Sequence, residues 1–453
     1  MEVVCFISME RKIYSKVFAI VLPIALQNLL SSLVSVSDAL MLGRLNQNVL
    51  SAVSLATQVQ FVLNLFFSAL IAGTTILSAQ YWGKGDNESV EKVLGVAVRI
   101  SCLIALIFFL AAQICPVFLM HIFTAEEELA AIGAKYLRIA SLSYLLMAVP
   151  QIYLCIMKNS GRVLKSTVYG FLTVVINIVL NGILIFGLFG FPRMKAAGAA
   201  IATDFAVGVE LCLVLYENRT TDSVRMKWKH LLAGNQDFLK AFIRHSSLVL
   251  ADLLVWGLGF TAFSVILGHM GNDAVAANSI ANTAKNIISC FCLGLGTGTG
   301  IIVGNELGKN NLDTAKEYGN QLLRIAFWTG IISGVVLILS IPLFMMLASS
   351  LNSTSMNYLK LMLLICGIYM IGKSINVTLI DGVFCAGGDT RFGLWCDIVV
   401  MWLIVIPLGA FAAFALKWPV PVVYLLLSMD EGIKLPAVLK HYKKYRWVKN
   451  LTE

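Results

Sequence analysis

Polar residues recur at helical spacing inside a long apolar stretch near the N-terminus. Four of them share one helical face at i, i+4, i+8 and i+11, namely Gln27, Ser31, Ser35 and Asp38. A charged side chain in a bilayer costs at least about 2.5–3.5 kcal/mol on insertion scales, so Asp38 requires a ligand, a partner or nearby water. An interfacial position near the outer end of the helix is the simpler alternative for this acid.

Similar side chains follow in two later apolar segments, and they are Thr173, Asn177, Asn181, Thr203 and Asp204. Carboxylate, amide and hydroxyl oxygens suit a hard cation such as Na⁺, and a carboxylate among neutral neighbours could equally carry a proton. Either ion could bind here. For Asn177 and Asn181, hydrogen bonding between helices is an equally good explanation.

The second half of the chain also places charges within apolar segments. Lys373 needs a partner on energetic grounds, and Asp381 at i+8 or Asp252 could supply it. Another helical stripe comprises Asn278, Asn282, Lys285 and Ser289 and is expected to line a cavity. An unpaired Lys285 would disfavour strongly cationic molecules nearby.

The elements that carry these side chains must lie in a membrane. Of 453 residues, 58% are hydrophobic and only 13% are charged, against about 25% charged in soluble domains. With about 20 residues per span, we expect an all-α integral membrane protein. The apolar runs are 17–42, 50–80, 93–119, 132–157, 163–188, 196–216, 245–268, 276–304, 318–346, 357–381, 391–416 and 418–437. Prolines and charges interrupt the last run, so eleven spans remain an alternative.

The distribution of basic residues predicts the orientation. With the N-terminus inside, roughly 23 Lys and Arg lie in cytoplasmic loops and about 4 in outer loops. Topology therefore explains the net charge of +9, and no nucleic-acid partner is expected. Both termini are predicted to be cytoplasmic in a multi-pass protein of the cell (inner) membrane. The basic C-terminal tail is expected to face solvent or lipid.

An internal repeat divides the chain. Residues 43–100 align with 268–325 without a gap, with about 13 of 58 positions identical. We therefore expect two six-helix lobes, 1–216 and 245–453, joined by a cytoplasmic linker at 217–244 and related by a pseudo-two-fold axis along the membrane normal. The repeat pairs Lys285 with Gln60 and Ser289 with Asn64, which extends the expected cavity lining to Gln60 and Asn64.

Several segments carry a resemblance to one family. They are LPIALQN at 22–28, AQYWGKGD at 79–86, GHMG at 268–271, VGNELG at 303–308 and GGDT at 387–390. In order and spacing they resemble the multidrug and toxic compound extrusion (MATE) family over nearly the whole chain. The resemblance implies an antiporter with twelve helices in two lobes. It implies export of amphipathic, often cationic, organic molecules in exchange for H⁺ or Na⁺.

The resemblance also implies site residues. In the family, an Asp of the first helix and polar residues of the fifth and sixth form a cation site, and Asp38, Asn177, Asn181 and Thr203 match these positions. Asn181 stands where some relatives have Asp, so Na⁺ at Asp38 and Asn177 and H⁺ both remain open. Some members also place carboxylates on the seventh and tenth helices, for which Asp252 and Asp381 are the candidates.

Other functions receive less support from the sequence. A flippase for lipid or lipid-linked saccharide would need a larger basic cavity, which Lys285 and Lys373 partly supply. An intramembrane enzyme would need a His, Cys or Ser constellation, and the five histidines are scattered at span ends and loops. We therefore expect no enzyme, no cofactor beyond the coupling ion and no obligatory protein partner, only membrane lipid.

Overall fold

The computed structural model consists of helices and connecting turns throughout the part of the chain it describes. It describes the backbone of residues 2–43, 47–232, 235–348 and 351–452. Within these ranges, side chains are described except at 2–12, 35, 36, 38–40, 42, 43, 47, 48 and 232. The all-α architecture predicted from the sequence is confirmed over these residues.

The helices of the first half follow the apolar runs closely. They are α1 (Glu2–Gly43), α2 (Gln47–Lys84), α3 (Asn87–Ile114), α4 (Pro116–His121), α5 (Glu127–Asn159), α6 (Val163–Phe186), α7 (Lys195–Thr220) and α8 (Trp228–Leu232). A short 3₁₀ turn at Leu188–Gly190 precedes α7. Most of these helices extend beyond the predicted bounds, because their polar ends continue past the hydrocarbon thickness that the apolar runs measure.

The second half contains more irregular helices. They are α9 (Gln236–His269), α10 (Asn272–Gly308), α11 (Leu312–Leu339), α12 (Ile341–Leu347), α13 (Ser353–Val377), α14 (Arg391–Asp397), α15 (Ile406–Ala410), α16 (Val420–Leu427) and α17 (Asp430–Tyr442). Three π-helical segments continue them, at Thr378–Phe384, Ile398–Val405 and Phe411–Ala415. π-helical turns are rare and are frequently found at functional sites.

Eleven helices in the described part are long and apolar enough to cross a membrane. The predicted span at 418–437 is instead two shorter helices, α16 and α17, separated by a turn at Ser428 and Met429. Asp430 and Glu431 begin the second of them. Both the multi-pass membrane architecture and the weakness of the last predicted span are thereby confirmed.

The described chain divides into two compact units. The first comprises Met1–Leu29, Gly83–Gly85 and Ser247–Glu453, and the second comprises Leu30–Trp82 and Asp86–Ser246. The beginning of α1 therefore groups with the C-terminal helices. Within that unit Ile13 is fully buried, and Lys16 Nζ lies 2.9 Å from Glu306 Oε1 on α10.

Small residues allow close helix packing in the first unit. A Cβ atom at Gly296 would lie 2.6 Å from the Val377 side chain, and a Cβ at Gly330 would lie 2.7 Å from the backbone of Ile371. Such contacts bring α10 and α11 against α13 with their backbones close together. The glycine-rich sequence at 294–300 is thus a packing surface inside a membrane helix.

The linker is fixed to α3 in the second unit by one buried acid. Glu91, which is 4% exposed, accepts a hydrogen bond from the Arg225 backbone at 3.1 Å and lies 2.7 Å from Lys227 Nζ. His230 Nε2 lies 3.7 Å from the same carboxylate. Burial, followed by the positive charge of Lys229, lowers the pKa of His230, so this contact is made by a predominantly neutral imidazole at pH 7.

Candidate functional site

A polar network joins α6 and α7 in the second unit. Asn181 Nδ2 donates to Asn177 Oδ1 at 3.1 Å, and Asn177 Nδ2 donates to Thr203 Oγ1 at 3.1 Å. Thr203 in turn donates to the backbone oxygen of Ala199. Asn177 is 6% exposed and Asn181 is fully buried. The helical spacing of the asparagines places both amides on the face of α6 that meets α7.

The acid expected to complete this network lies outside the described side chains. This holds for Asp38 and for Ser35, although the α1 backbone is described at both positions. Gln27 falls in the first unit and Ser31 in the second. The structure therefore brings together Asn177, Asn181 and Thr203 and does not place the carboxylate of Asp38.

Other polar residues predicted in the first half make their hydrogen bonds outside the network. Asp204 Oδ1 accepts a hydrogen bond from the Ser143 backbone at 2.9 Å and so connects α7 to α5. Thr173 donates to the Tyr169 backbone within its own helix. On α2, Gln60 is half-buried and Asn64 is exposed. These contacts give Asp204 and Thr173 structural partners.

A second cluster of charged groups lies in the first unit around Lys434. Its ammonium is 2.7 Å from Asp397 Oδ1 and 3.8 Å from Asp430 Oδ2. Lys434 and Asp430 are each 3% exposed, and Asp397 is 7% exposed. One ammonium therefore serves two carboxylates that are almost completely removed from solvent.

Lys373 has a partner that the sequence did not indicate. Its ammonium lies 3.2 Å from Glu431 Oε1, so the expectation of an Asp381 or Asp252 partner is wrong. Glu431 also accepts hydrogen bonds from Asn376 at 2.7 Å and from Tyr369 at 3.4 Å. The reason is that α17 packs against α13, and the Glu431 side chain on α17 reaches the Lys373 ammonium directly.

Two further carboxylates border this cluster. Asp252 on α9 has a buried Oδ1 with no hydrogen-bond partner among the described residues, and its Oδ2 lies 3.7 Å from where a Cβ at Gly393 would be. Asp381 lies in the π-helical segment after α13 and is exposed. Asp381 and Asp397 both act electrostatically on Asp252. The carboxylates of this cluster therefore outnumber its two ammonium groups, which belong to Lys373 and Lys434. The carboxylates are those of Asp252, Asp381, Asp397, Asp430 and Glu431.

Four members of this cluster were not predicted as site residues, namely Asp397, Asp430, Glu431 and Lys434. The i, i+4 spacing of Asp430 and Lys434 was the available signal. In an apolar segment such a pair indicates a buried ion pair.

The polar stripe on α10 contains Lys285, the other lysine predicted as a site residue. Asn282 donates to Asn278 at 3.1 Å, and Ser289 donates to the Lys285 backbone. Lys285 Nζ lies 5.5 Å from the Phe260 ring centroid and 5.1 Å from that of Tyr369. Lys285 is half-buried, and in the described part of the chain it forms no ion pair.

Ionisable and amide side chains held inside apolar helices are typical of proteins that move ions or polar solutes across the bilayer. The fold and these clusters therefore define a multi-pass membrane transporter. The chain belongs to the MatE family, because the model of that family matches residues 23–183 and 248–411. The resemblance found in the sequence is thereby confirmed, and the chain is a transporter and not an enzyme.

Curated relatives cover nearly the same length. The chain is 23% identical over 440 residues to "Uncharacterized transporter YisQ" of Bacillus subtilis, covering 95% of this chain and 94% of that protein. It is 23% identical to "Probable multidrug resistance protein YoeA" of Bacillus subtilis, covering 94% and 92%. Identity to "Multidrug resistance protein MdtK" of Pectobacterium atrosepticum is 26%, covering 87% and 86%.

Solved structures show the same fold at low identity. One, described as the outward-facing conformation of a multidrug resistance MATE family transporter of the MOP superfamily, has a TM-score of 0.86 at 17% identity, covering 96% of both chains. Another is a MOP superfamily transporter from Pyrococcus furiosus described as having a binding pocket of reverse polarity, with a TM-score of 0.87 at 16% identity and 96% coverage of both chains. The MATE fold therefore extends over nearly the whole chain.

Proposed function

We propose that this chain is a cation-coupled antiporter that exports amphipathic organic compounds in exchange for inward H⁺ or Na⁺. The buried network of Asn177, Asn181 and Thr203 is the observation that carries the proposal. Family membership and the multidrug resistance proteins among the relatives support export as its role. The excess of basic residues in alternate loops supports cytoplasmic termini.

The network offers oxygen atoms to a cation. Asn177 Oδ1 accepts one hydrogen bond from Asn181 and keeps a second lone pair, and the Thr203 hydroxyl also has acceptor capacity. With the Asp38 carboxylate, these atoms would give Na⁺ the oxygen ligands that hard cations prefer. A proton on Asp38 would instead be stabilised by the neutral surroundings.

Either ion would neutralise Asp38 and thereby change which packing of α1 against α6 and α7 is favoured. In alternating access, the two proposed lobes at 1–216 and 245–453 would then expose the substrate to one side of the membrane at a time. Ion binding would favour the state that releases substrate outward. Return of the ion to the cytoplasm would reset the cycle.

Replacing Asp38 with Asn is expected to abolish coupled transport while the protein remains inserted and folded. The amide keeps the volume of the carboxylate but neither binds a proton nor supplies a negative charge to Na⁺. Uptake of a fluorescent organic cation into inverted vesicles, under an imposed H⁺ or Na⁺ gradient, measures the effect. The gradient that drives uptake by the unmodified protein identifies the coupling ion.

The matched control is Asp222→Asn, because the Asp222 side chain is fully exposed in the linker region. This variant is expected to transport normally. Undiminished gradient-driven uptake by the Asp38→Asn protein would contradict the assignment of Asp38 as the coupling acid.

Asp252 is the second candidate for ion coupling. A buried carboxylate oxygen without a hydrogen-bond partner favours binding of a proton or cation, particularly with Asp381 and Asp397 nearby. Replacing Asp252 with Asn is therefore expected to leave the protein folded, because the amide removes a buried carboxylate that lacks a partner, and to reduce gradient-driven uptake. Parallel unfolding and uptake measurements check both parts.

The control for this variant is Asp313→Asn on α11, whose side chain is almost fully exposed at 98%. Loss of both folding and uptake in the Asp252 variant would indicate a structural role for Asp252. Normal uptake in that variant would exclude it from coupling.

The flippase alternative loses part of its support. It rested on two uncompensated lysines, and Glu431 neutralises Lys373 at 3.2 Å. Lys285 alone remains to favour an anionic ligand.

A further inference from the structure

Two aromatic rings lie close to the Lys285 ammonium. Its ammonium lies 5.1 Å from the Tyr369 centroid and 5.5 Å from the Phe260 centroid. The three residues come from α13, α9 and α10, and each of them is half-buried. Cation–π contacts stabilise the ammonium, but they leave its formal charge in place.

Two acids on α17, Asp430 and Glu431, pair with lysines other than Lys285. Glu431 pairs with Lys373 at 3.2 Å, and Asp430 lies 3.8 Å from Lys434. Asp430 also acts on Lys285, though at a longer range than an ion pair. Among the described residues, no carboxylate therefore forms an ion pair with Lys285.

A flat apolar surface adjoins this charge. Trp256 and Phe260 lie one turn apart on α9 and stack with centroids 5.8 Å apart and an interplanar angle of 17°. Both rings are half-buried and so retain accessible surface. Lys373 lies 5.7 Å from the Trp256 centroid at the other end of this pair. Stacked rings of this kind can bind a further aromatic ring.

We propose that Lys285, Phe260 and Tyr369 form a selectivity site for amphipathic molecules that join an aromatic ring to an anionic group. The ring of the ligand would pack on Phe260 and Trp256, and its carboxylate, sulfonate or phosphate would accept hydrogen bonds from the Lys285 ammonium. This inference rests on the proposed export function, and it names anionic or zwitterionic compounds among the substrates. A lipid phosphate group has the same chemistry and is a second source of such a ligand.

Binding to the full-length protein in neutral-lipid nanodiscs tests the proposal without any ion gradient. Naphthalene carboxylate and its uncharged carboxamide form a matched pair of probes, and titration calorimetry measures their affinities. The unmodified protein is expected to prefer the carboxylate. In Lys285→Gln the carboxylate affinity is expected to fall about 10- to 100-fold, as for loss of a charge-assisted hydrogen bond, while the carboxamide affinity changes little.

Three further variants keep the test specific. Lys285→Arg is expected to retain the preference for the carboxylate, and Phe260→Leu to weaken both probes. Lys360→Gln, at an exposed position on the same helix as Tyr369, is expected to have no effect. Equal affinities for the two probes in the unmodified protein, or an unchanged carboxylate affinity in a folded Lys285→Gln protein, would overturn the proposal.

A short-chain phosphatidate added to the same nanodiscs distinguishes the two sources. Stronger competition by phosphatidate than by the carboxylate, lost in Lys285→Gln, would assign the site to a lipid head group. Stronger binding of the carboxylate would assign it to exported organic anions. Because binding is measured without transport, a failure of the export proposal would leave this result interpretable.

Discussion

Replacing Lys434 with Met is expected to destabilise the protein by about 3–5 kcal/mol. Lys434 is the ion-pair partner of both Asp397 and Asp430 in the described part of the chain, and all three are less than one-tenth exposed. Methionine preserves most of the apolar volume of the lysine stem but provides no donor. The variant therefore leaves two buried carboxylates without their shared ammonium, which is far costlier than removing the pair as a whole.

Thermal unfolding of the purified protein in detergent measures this effect. The double variant Lys434→Met, Asp397→Asn is expected to recover part of the loss, because it also removes one unpaired charge. Lys444→Met, at an exposed position beyond α17, is the matched control and should unfold like the unmodified protein. A Lys434→Met protein within about 0.5 kcal/mol of the unmodified one would show that the acids are compensated by other groups.

The membrane helices could be predicted because apolar runs report directly on the hydrocarbon core. Their ends could not be predicted as well, since α9 begins at Gln236 in a segment whose charges resemble a loop. Likewise, α1 extends to Glu2 although the charged residues at 10–12 separate its first turns from the apolar run. Hydropathy measures only the part of a helix that contacts lipid.

The candidate sites differ in how far apart their residues lie in the sequence. Asn177 and Asn181 share a face because of helical spacing alone, and Thr203 comes from the next span, so their proximity could be anticipated. The pairing of Lys373 with Glu431 could not, because it depends on how α13 and α17 pack. In the sequence, the charges of α17 argue only against a membrane span, whereas in the structure they pair with charges on other helices.

The C-terminal tail shows a similar limit. Its basic residues are exposed, as expected for the segment after α17, but Trp447 is completely buried. The Trp447 ring stacks on Tyr442 with centroids 5.7 Å apart, and a methyl group at Gly387 would collide with the Trp447 carbonyl. The expectation that the tail faces solvent or lipid is therefore wrong at Trp447. The basic residues on either side of it gave no indication that this ring is buried.

Replacing Trp447 with Ala is expected to detach this tail and to cost about 3–5 kcal/mol, as for other buried aromatic side chains. The ring fills the space beside Gly319, where a Cβ would lie 3.2 Å from it. Its Nε1 donates to the Tyr442 backbone at 3.3 Å. Beyond it, the Thr452 backbone accepts a hydrogen bond from Lys84 at 2.7 Å, a contact that depends on the tail remaining docked.

Limited trypsin digestion detects this detachment, because cleavage at Lys443, Lys444, Arg446 or Lys449 requires the backbone to leave its docked position. The unmodified protein is expected to be cleaved slowly there and the Trp447→Ala protein rapidly, with a lower unfolding temperature. Trp228→Ala is the matched control, since the Trp228 side chain is 78% exposed and its removal creates no cavity. Equal cleavage rates for the Trp447→Ala protein and the unmodified protein would show that contacts such as Lys84 with Thr452 hold the tail without the tryptophan.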